Sequence, residues 1–164
     1  VHPTLPLFAV AEKGENPEIL IYSFPELEIK HRLQKGTERT FSDMQFSTKG
    51  DKLASVGNAP DFLLTVWDWE KEVITLHTKA FAQEVYRVAF SPNAEGRLCT
   101  SGMGHIRFWK MAKTFTGLKL QGEIGKFGNV DISDISAFIE LPDGRTVSGS
   151  EDGYLLMWDG NFIQ

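Results

Sequence analysis

Short segments of this chain alternate between apolar and polar residues, and turn-forming residues follow each segment. The alternation is visible in Asp43–Ser47, Val85–Ser91 and Ile135–Glu140, and the last of these leads into the turn sequence Pro142–Gly144. Alternation with a period of two, bounded by Gly, Pro, Asn or Asp, predicts half-buried β-strands. No segment keeps apolar residues at helical spacing over several turns without a Gly or Pro, so the pattern predicts an all-β fold.

Other segments are apolar at both odd and even positions. The run Phe62–Trp67, with the sequence FLLTVW, shows this most strongly. Such a run predicts a strand that is covered on both faces, as in the middle of a sheet that is packed between two others.

The chain also repeats itself. Four segments align with one another, namely Leu7–Phe24, Lys52–Trp69, Arg97–Trp109 and Arg145–Trp158. The aromatic residues that end the matched strands recur at intervals of about 40–50 residues, the period of a β-propeller blade, and they are Tyr22, Trp67, Trp109 and Trp158. We interpret these four aromatic residues as equivalent structural positions of the repeat.

The predicted architecture is a partial all-β propeller, with about three and a half four-stranded antiparallel blades of a larger propeller. We expect a single fragment with blades at about residues 1–35 (partial), 36–80, 81–128 and 129–164 (partial). Because the chain starts at Val1 and stops after Gln164 without a turn or cap, we interpret it as part of a longer protein. The remainder of its own propeller would cover apolar blade faces, so we expect residues 1–164 alone to be poorly soluble.

The repeat resembles the WD repeat, in which a Ser-Gly strand and a tight turn lead to an apolar strand that ends in Trp-Asp. Trp67-Asp68 and Trp158-Asp159 carry this pair, whereas Lys110 follows Trp109 and the first repeat has Tyr22-Ser23. The Gly-His dipeptide that such repeats carry before the innermost strand is absent from the linkers. The resemblance covers nearly the whole chain and implies a WD-repeat β-propeller.

A narrower resemblance begins at His105. The sequence HIRFWKMAKTFTGLKLQG, the glycines that follow it and the segment Pro142–Trp158 are similar to the WD-repeat cilia- and flagella-associated protein family. They are also similar to the echinoderm microtubule-associated protein-like propellers. The first resemblance implies a non-catalytic scaffold in the cytoskeleton of the cytoplasm, at the axoneme of cilia and flagella, that tethers an inner dynein arm to the doublet microtubule. Its implied partners are axonemal tether proteins, inner-arm dynein and tubulin, and the second resemblance implies the alternative of a propeller that binds microtubules or tubulin.

The composition excludes several classes of function. The formal net charge of −5 provides no positive field for nucleic acid, and no apolar run approaches the ~20 residues that cross a bilayer. The single cysteine, Cys99, cannot form a disulfide within the chain, and we interpret it as a buried structural thiol. We therefore expect protein partners, with no nucleic acid and no membrane.

One stretch looks like a catalytic or phosphate-binding loop, namely Gly-Met-Gly-His at Gly102–His105. A dinucleotide-binding loop needs a third glycine where this chain has Arg107, and a P-loop needs a Gly-Lys-Ser/Thr sequence that the chain lacks. We predict a turn between two strands of one blade instead. The four histidines lack the short spacing of metal ligands, so we predict no catalytic residue, metal site or cofactor. A propeller enzyme is a third hypothesis, which no residue pattern supports.

Two features suggest contacts with a partner. Basic residues concentrate between Arg107 and Lys126, where Glu123 is the sole acidic residue, and the candidate contacts there are Lys110, Lys113, Lys119 and Lys126. This basic strip would suit an acidic partner such as the tubulin surface, and the alternative is a solvated outer strand. The other candidate is Trp69, which ends a strand and either anchors a partner or packs against the neighbouring blade.

Overall fold

The computed structural model describes residues 1–164 and contains fifteen β-strands in four antiparallel sheets, with no helix. The first sheet contains β1 (Leu7–Ala11), β2 (Ile19–Ser23) and β3 (Ile29–Leu33). The second contains β4 (Phe41–Phe46), β5 (Leu53–Gly57), β6 (Leu63–Asp68) and β7 (Val73–Lys79). The third contains β8 (Val85–Phe90), β9 (Arg97–Gly102), β10 (His105–Thr114) and β11 (Gly117–Ile124), and the fourth β12 (Ile135–Glu140), β13 (Thr146–Ser150), β14 (Leu155–Asp159) and β15 (Phe162–Ile163).

Within each sheet the strands pair in the order in which they follow one another along the chain. Each sheet is therefore a simple antiparallel meander, which is the arrangement of a propeller blade. The first sheet has three strands where the others have four. Its β1 takes the place of β5, because Phe8 lies opposite Tyr22 as Leu53 lies opposite Trp67. The repeat alignment from the sequence has the same register.

Three buried apolar clusters join consecutive sheets. The first cluster places Ile19, Ile21 and Leu33 of the first sheet against Trp67 and other residues of the second. A second cluster joins the second sheet to the third, and a further cluster joins the third to the fourth. The middle strands β5 and β6 are covered on both faces, as the apolar run Phe62–Trp67 predicts for β6. The prediction of an all-β, partial propeller is confirmed.

The two outermost sheets expose apolar residues on the faces that have no neighbouring sheet. In the fourth sheet, Ile139 is 64% exposed and Leu155 is 81% exposed, and Val10 of the first sheet is also exposed. These faces would be covered by further blades in a closed propeller. The low solubility of residues 1–164 alone stays a prediction. The structure contains no helix that is long and apolar enough to cross a membrane.

The outer part of the third sheet differs from the sequence-based interpretation. The repeat alignment ended its third strand at Trp109, but β10 continues to Thr114 and pairs with β11 from Arg107 to Thr114. The repeat alignment does not indicate this extension, because the added residues have no counterpart in the other repeats and are stabilised by pairing with β11 of the same blade.

Candidate functional site

The tryptophans of the repeat are structural residues. Trp67, Trp109 and Trp158 are buried, and each packs in a cluster that includes residues of the preceding sheet. Each indole N–H donates a 2.9 Å hydrogen bond to a hydroxyl on the adjacent strand. The accepting hydroxyls belong to Ser55, Thr100 and Ser148 respectively. The same bond in three sheets joins the two middle strands of each blade and satisfies the buried indole.

Tyr22 holds the equivalent position in the first sheet but has a different environment. Its ring stacks on Phe8 with 5.4 Å between the ring centroids, and it is half-buried. Ile19 and Ile21 face the second sheet, so strand alternation turns Tyr22 to the opposite face. No preceding sheet covers that face here, which explains its partial exposure.

The Gly102–His105 stretch is a turn between β9 and β10, as predicted. Gly104 has a φ of +64°, which glycine adopts without strain. Its N–H donates to Asp134 Oδ1 at 2.9 Å, so a carboxylate from the linker before β12 already occupies this donor. Asp134 also accepts a bond from the Tyr86 hydroxyl. The turn therefore ties the third sheet to the segment that leads into the fourth, and its amide is not free for a phosphate.

His105 lies at the start of β10 in a buried, aromatic environment. Its ring stacks on Phe81 with 3.7 Å between centroids, and its Nδ1 lies 3.0 Å from the Met103 carbonyl oxygen. Nδ1 therefore carries the proton and donates it to this carbonyl, while Nε2 is buried without a partner. Burial lowers the pKa of His105 below its ordinary value of 6.5. Burial therefore favours the neutral ring over the charged ring at this site.

The remaining chemically reactive side chains are dispersed. No group of three or more His, Cys, Asp or Glu side chains is placed to hold a metal ion. Cys99 is buried in the cluster between the third and fourth sheets, and burial raises the pKa of its thiol well above 9.0. Its thiol is therefore protonated and poorly nucleophilic at neutral pH.

The basic strip does not form one continuous surface. Lys110 and Lys119 lie on one face of the third sheet, because Lys119 is opposite Ala112 and Lys110 is two residues from Ala112. Lys113 lies on the other face, together with Met111, which packs towards the second sheet. Strand alternation thus divides the basic strip between the two faces of the sheet, and Lys110, Lys113 and Lys119 are all exposed.

Lys126 is separate from the other three lysines. It lies after β11, where its N–H donates to Asn161 O at 2.8 Å and its Nζ is 4.7 Å from the centre of the Phe162 ring. Its backbone joins the linker to β15 in a parallel bridge. Lys126 therefore helps to attach the edge of the fourth sheet.

Lys110 faces a groove between the third and fourth sheets that sequence reasoning did not find. The groove has a volume of about 610 Å³. Its charged lining includes Arg97 and Lys110 and the four carboxylates of Glu123, Glu140, Asp143 and Asp159. The surroundings of Lys110 are thus acidic, which the linear sequence around it does not indicate because Glu140, Asp143 and Asp159 come from the fourth sheet.

Trp69 is not an exposed anchor for a partner. It is only 2% exposed, and its indole N–H donates to Gly50 O at 2.8 Å. Its ring contacts His2, His31 and Phe46 edge-on, and it belongs to the cluster between the first and second sheets. The alternative interpretation, packing against the neighbouring blade, describes the observed arrangement.

These features define a WD-repeat β-propeller fold with open ends. The fold matches the crystal structure of the Cps50 (Swd1) β-propeller domain from Myceliophteria thermophila with a TM-score of 0.77. The match covers 94% of this chain and 49% of that one at 13% sequence identity, so it concerns the fold alone. No family model matches the chain.

The sequence itself is homologous to a segment of cilia- and flagella-associated protein 44. Over its whole length the chain is 58% identical to that protein from Chlamydomonas reinhardtii and 51% identical to that from Mus musculus. It spans about a tenth of each relative, namely 10% and 9%. A more distant similarity, 30% identity over 87% of the chain and 21% of the relative, links it to the 77 kDa echinoderm microtubule-associated protein of Lytechinus variegatus. The resemblance stated from the sequence is confirmed.

Proposed function

We propose that this chain is part of a non-catalytic scaffold that tethers an inner dynein arm to the doublet microtubule in the axoneme of cilia and flagella. The observation that carries the proposal is the 58% identity to the Chlamydomonas protein over the whole chain. The proposed partners are axonemal tether proteins, inner-arm dynein and tubulin.

The geometry supports a scaffold through its rigidity. Repeated tryptophan–hydroxyl bonds hold the middle strands of three sheets, and buried clusters join each sheet to the next. Such a stack presents turns and outer strands at fixed positions, as a protein that holds two partners in register requires.

A chimera tests the tether. Residues 1–164 replace the homologous segment of the Chlamydomonas protein, and the chimera is expressed in a strain that lacks that protein. We expect the strain without the protein to lose or misplace inner dynein arms, and the chimera to restore them, as measured by cryo-electron tomography of axonemes. A chimera with Trp67→Ala and Trp158→Ala is the control for a misfolded segment. Inner arms that stay in place in the strain without the protein would exclude the tether.

A second candidate function is direct microtubule binding, which the similarity to the echinoderm microtubule-associated protein favours. Co-sedimentation of the chimera with stabilised microtubules measures it. A saturable increase in the pelleted fraction supports this function, and the same fraction with and without microtubules excludes it.

A further inference from the structure

The hairpin of β10 and β11 projects from the third sheet. The pairing of β10 with β9 ends at Lys110 and Arg97, but β10 continues to Thr114 and pairs with β11 as far as Gly117. Residues 111–120, called the hairpin arm here, therefore extend beyond the neighbouring strand by about 13 Å, at about 3.3 Å for each residue.

The propeller fold does not require this arm. The equivalent hairpin of the second sheet ends one residue beyond the repeat tryptophan, where Asp68 pairs with Val73, and that of the fourth sheet ends where Asp159 pairs with Phe162. Both of these sheets form without a projection. An extension in one blade alone thus adds a surface beyond what the blade needs, and only the base of the arm contacts the second sheet.

The base of the arm is fixed, whereas its tip is free. Met111 and Leu120 pack against the cluster between the second and third sheets, and Met111 N–H donates to Gly96 O at 2.7 Å. At the other end, Phe115 is fully exposed in the turn. The Thr114 hydroxyl donates to Gly117 O at 2.7 Å and closes that turn. The turn thus fixes the backbone that carries Phe115, and the aromatic side chain extends into solvent.

Two lysines lie on the strands that lead into and out of this turn. Lys113 and Lys119 lie on opposite faces of the arm, one on each side of Phe115, and both are exposed. The arm contains no acidic residue, and neither lysine forms an ion pair. The turn of the second sheet is acidic on balance, with Asp68, Glu70 and Glu72 against Lys71.

We propose that the hairpin arm docks onto an acidic segment of another polypeptide, with Phe115 as the apolar anchor and Lys113 and Lys119 as flanking cationic contacts. A single exposed aromatic residue is common on protein surfaces. This one differs because it lies at the tip of a projection that the fold does not need, between two unpaired lysines. Aromatic residues, Phe among them, are enriched at the core of protein interfaces and polar residues at the rim, and carboxylates complement the lysines. The proposal does not depend on the axonemal role.

Carbodiimide crosslinking tests the docking, because it joins a lysine Nζ directly to a carboxylate in contact with it. It is applied to the full-length protein in the cells that make it, and linked residues are identified by mass spectrometry. We expect Lys113 or Lys119 to be joined to Asp or Glu of a second polypeptide, and exposed Lys35 and Lys79 not to be. Phe115→Ala should lower the yield about tenfold, the effect of losing an anchor. Phe24→Ala, at another exposed phenylalanine, should leave it unchanged.

Three results would overturn the proposal: no crosslink from either lysine of the arm, crosslinks only to carboxylates of the same chain, or a yield that Phe115→Ala leaves intact. Because the Phe115 side chain is fully exposed, its truncation should leave the melting temperature unchanged. Lys113→Glu together with Lys119→Glu provides the second variant. It should abolish retention of the second polypeptide, whereas Lys35→Glu with Lys79→Glu should not.

Discussion

The carboxylate of Asp43, on the edge strand β4 of the second sheet, accepts a 3.0 Å hydrogen bond from the backbone N–H of Val88, on the edge strand β8 of the third. Two residues further along, Gln45 Oε1 accepts from Phe90 N–H at 3.1 Å. Because β8 lies at the edge of its sheet, the N–H groups on its outer side have no strand partner. Side chains of one blade therefore satisfy the edge of the next and set the spacing between the two sheets.

Removal of this inter-blade bond should destabilise the chain. Asp43→Ala leaves the Val88 N–H without its acceptor, and we expect a loss of about 1–2 kcal/mol in the free energy of unfolding. Asp131→Ala, at an exposed carboxylate in a linker, is the matched control and should be neutral. Urea unfolding monitored by tryptophan fluorescence provides the measurement. Equal midpoints for the two variants would show that the bond contributes nothing.

The tryptophan–hydroxyl bonds should behave as coupled pairs. Trp109→Phe removes the indole donor and part of the packing against the second sheet, and we expect a cost of about 1–3 kcal/mol in unfolding free energy. The double variant Trp109→Phe with Thr100→Val should lose less unfolding free energy than the sum of the two single variants, because the hydroxyl is removed together with its partner. A double-mutant cycle from urea unfolding measures the coupling, and strict additivity would contradict it.

His105 should make stability depend on pH. Its pKa is lowered in the folded state because burial disfavours the charged ring, so between that lowered value and 6.5 the unfolded chain binds more protons than the folded one. Stability is therefore lost as the pH falls below 6.5, by up to about 1.4 kcal/mol for each pH unit within this window. Between pH 7 and pH 5 the melting temperature of the wild type should fall more steeply than that of His105→Phe. Parallel curves for the two proteins would exclude a titrating role for His105.

Cys99 should react slowly with alkylating reagents in the folded protein. Its thiol is buried and its pKa is raised, so the thiolate that reacts with iodoacetamide is scarce. We expect alkylation to be at least about 100-fold slower in native buffer than in urea at the same pH, because reaction then requires local or global opening. Mass spectrometry at timed intervals measures the rate. Native labelling at the unfolded rate would show that the third and fourth sheets separate freely.

The sequence by itself determined those features that depend on local alternation and spacing. The strands, the tryptophan positions and the turn at Gly104 follow from a period of two and from recurrence along the chain, and the structure has all three. The family resemblance was also visible in the sequence, because it depends on the residues from His105 onwards.

Only the tertiary structure decided which residues face solvent. Alternation predicts that Lys110 and Lys113 point to opposite faces, but the neighbouring sheets determine what each side chain meets: carboxylates of the fourth sheet line the groove around Lys110. Trp69 is buried because Phe46 and the first sheet cover it, and no spacing in the sequence indicates that cover. The Asp43–Val88 bond joins residues 45 positions apart in different sheets. Contacts between sheets depend on how whole blades stack, which local sequence does not encode.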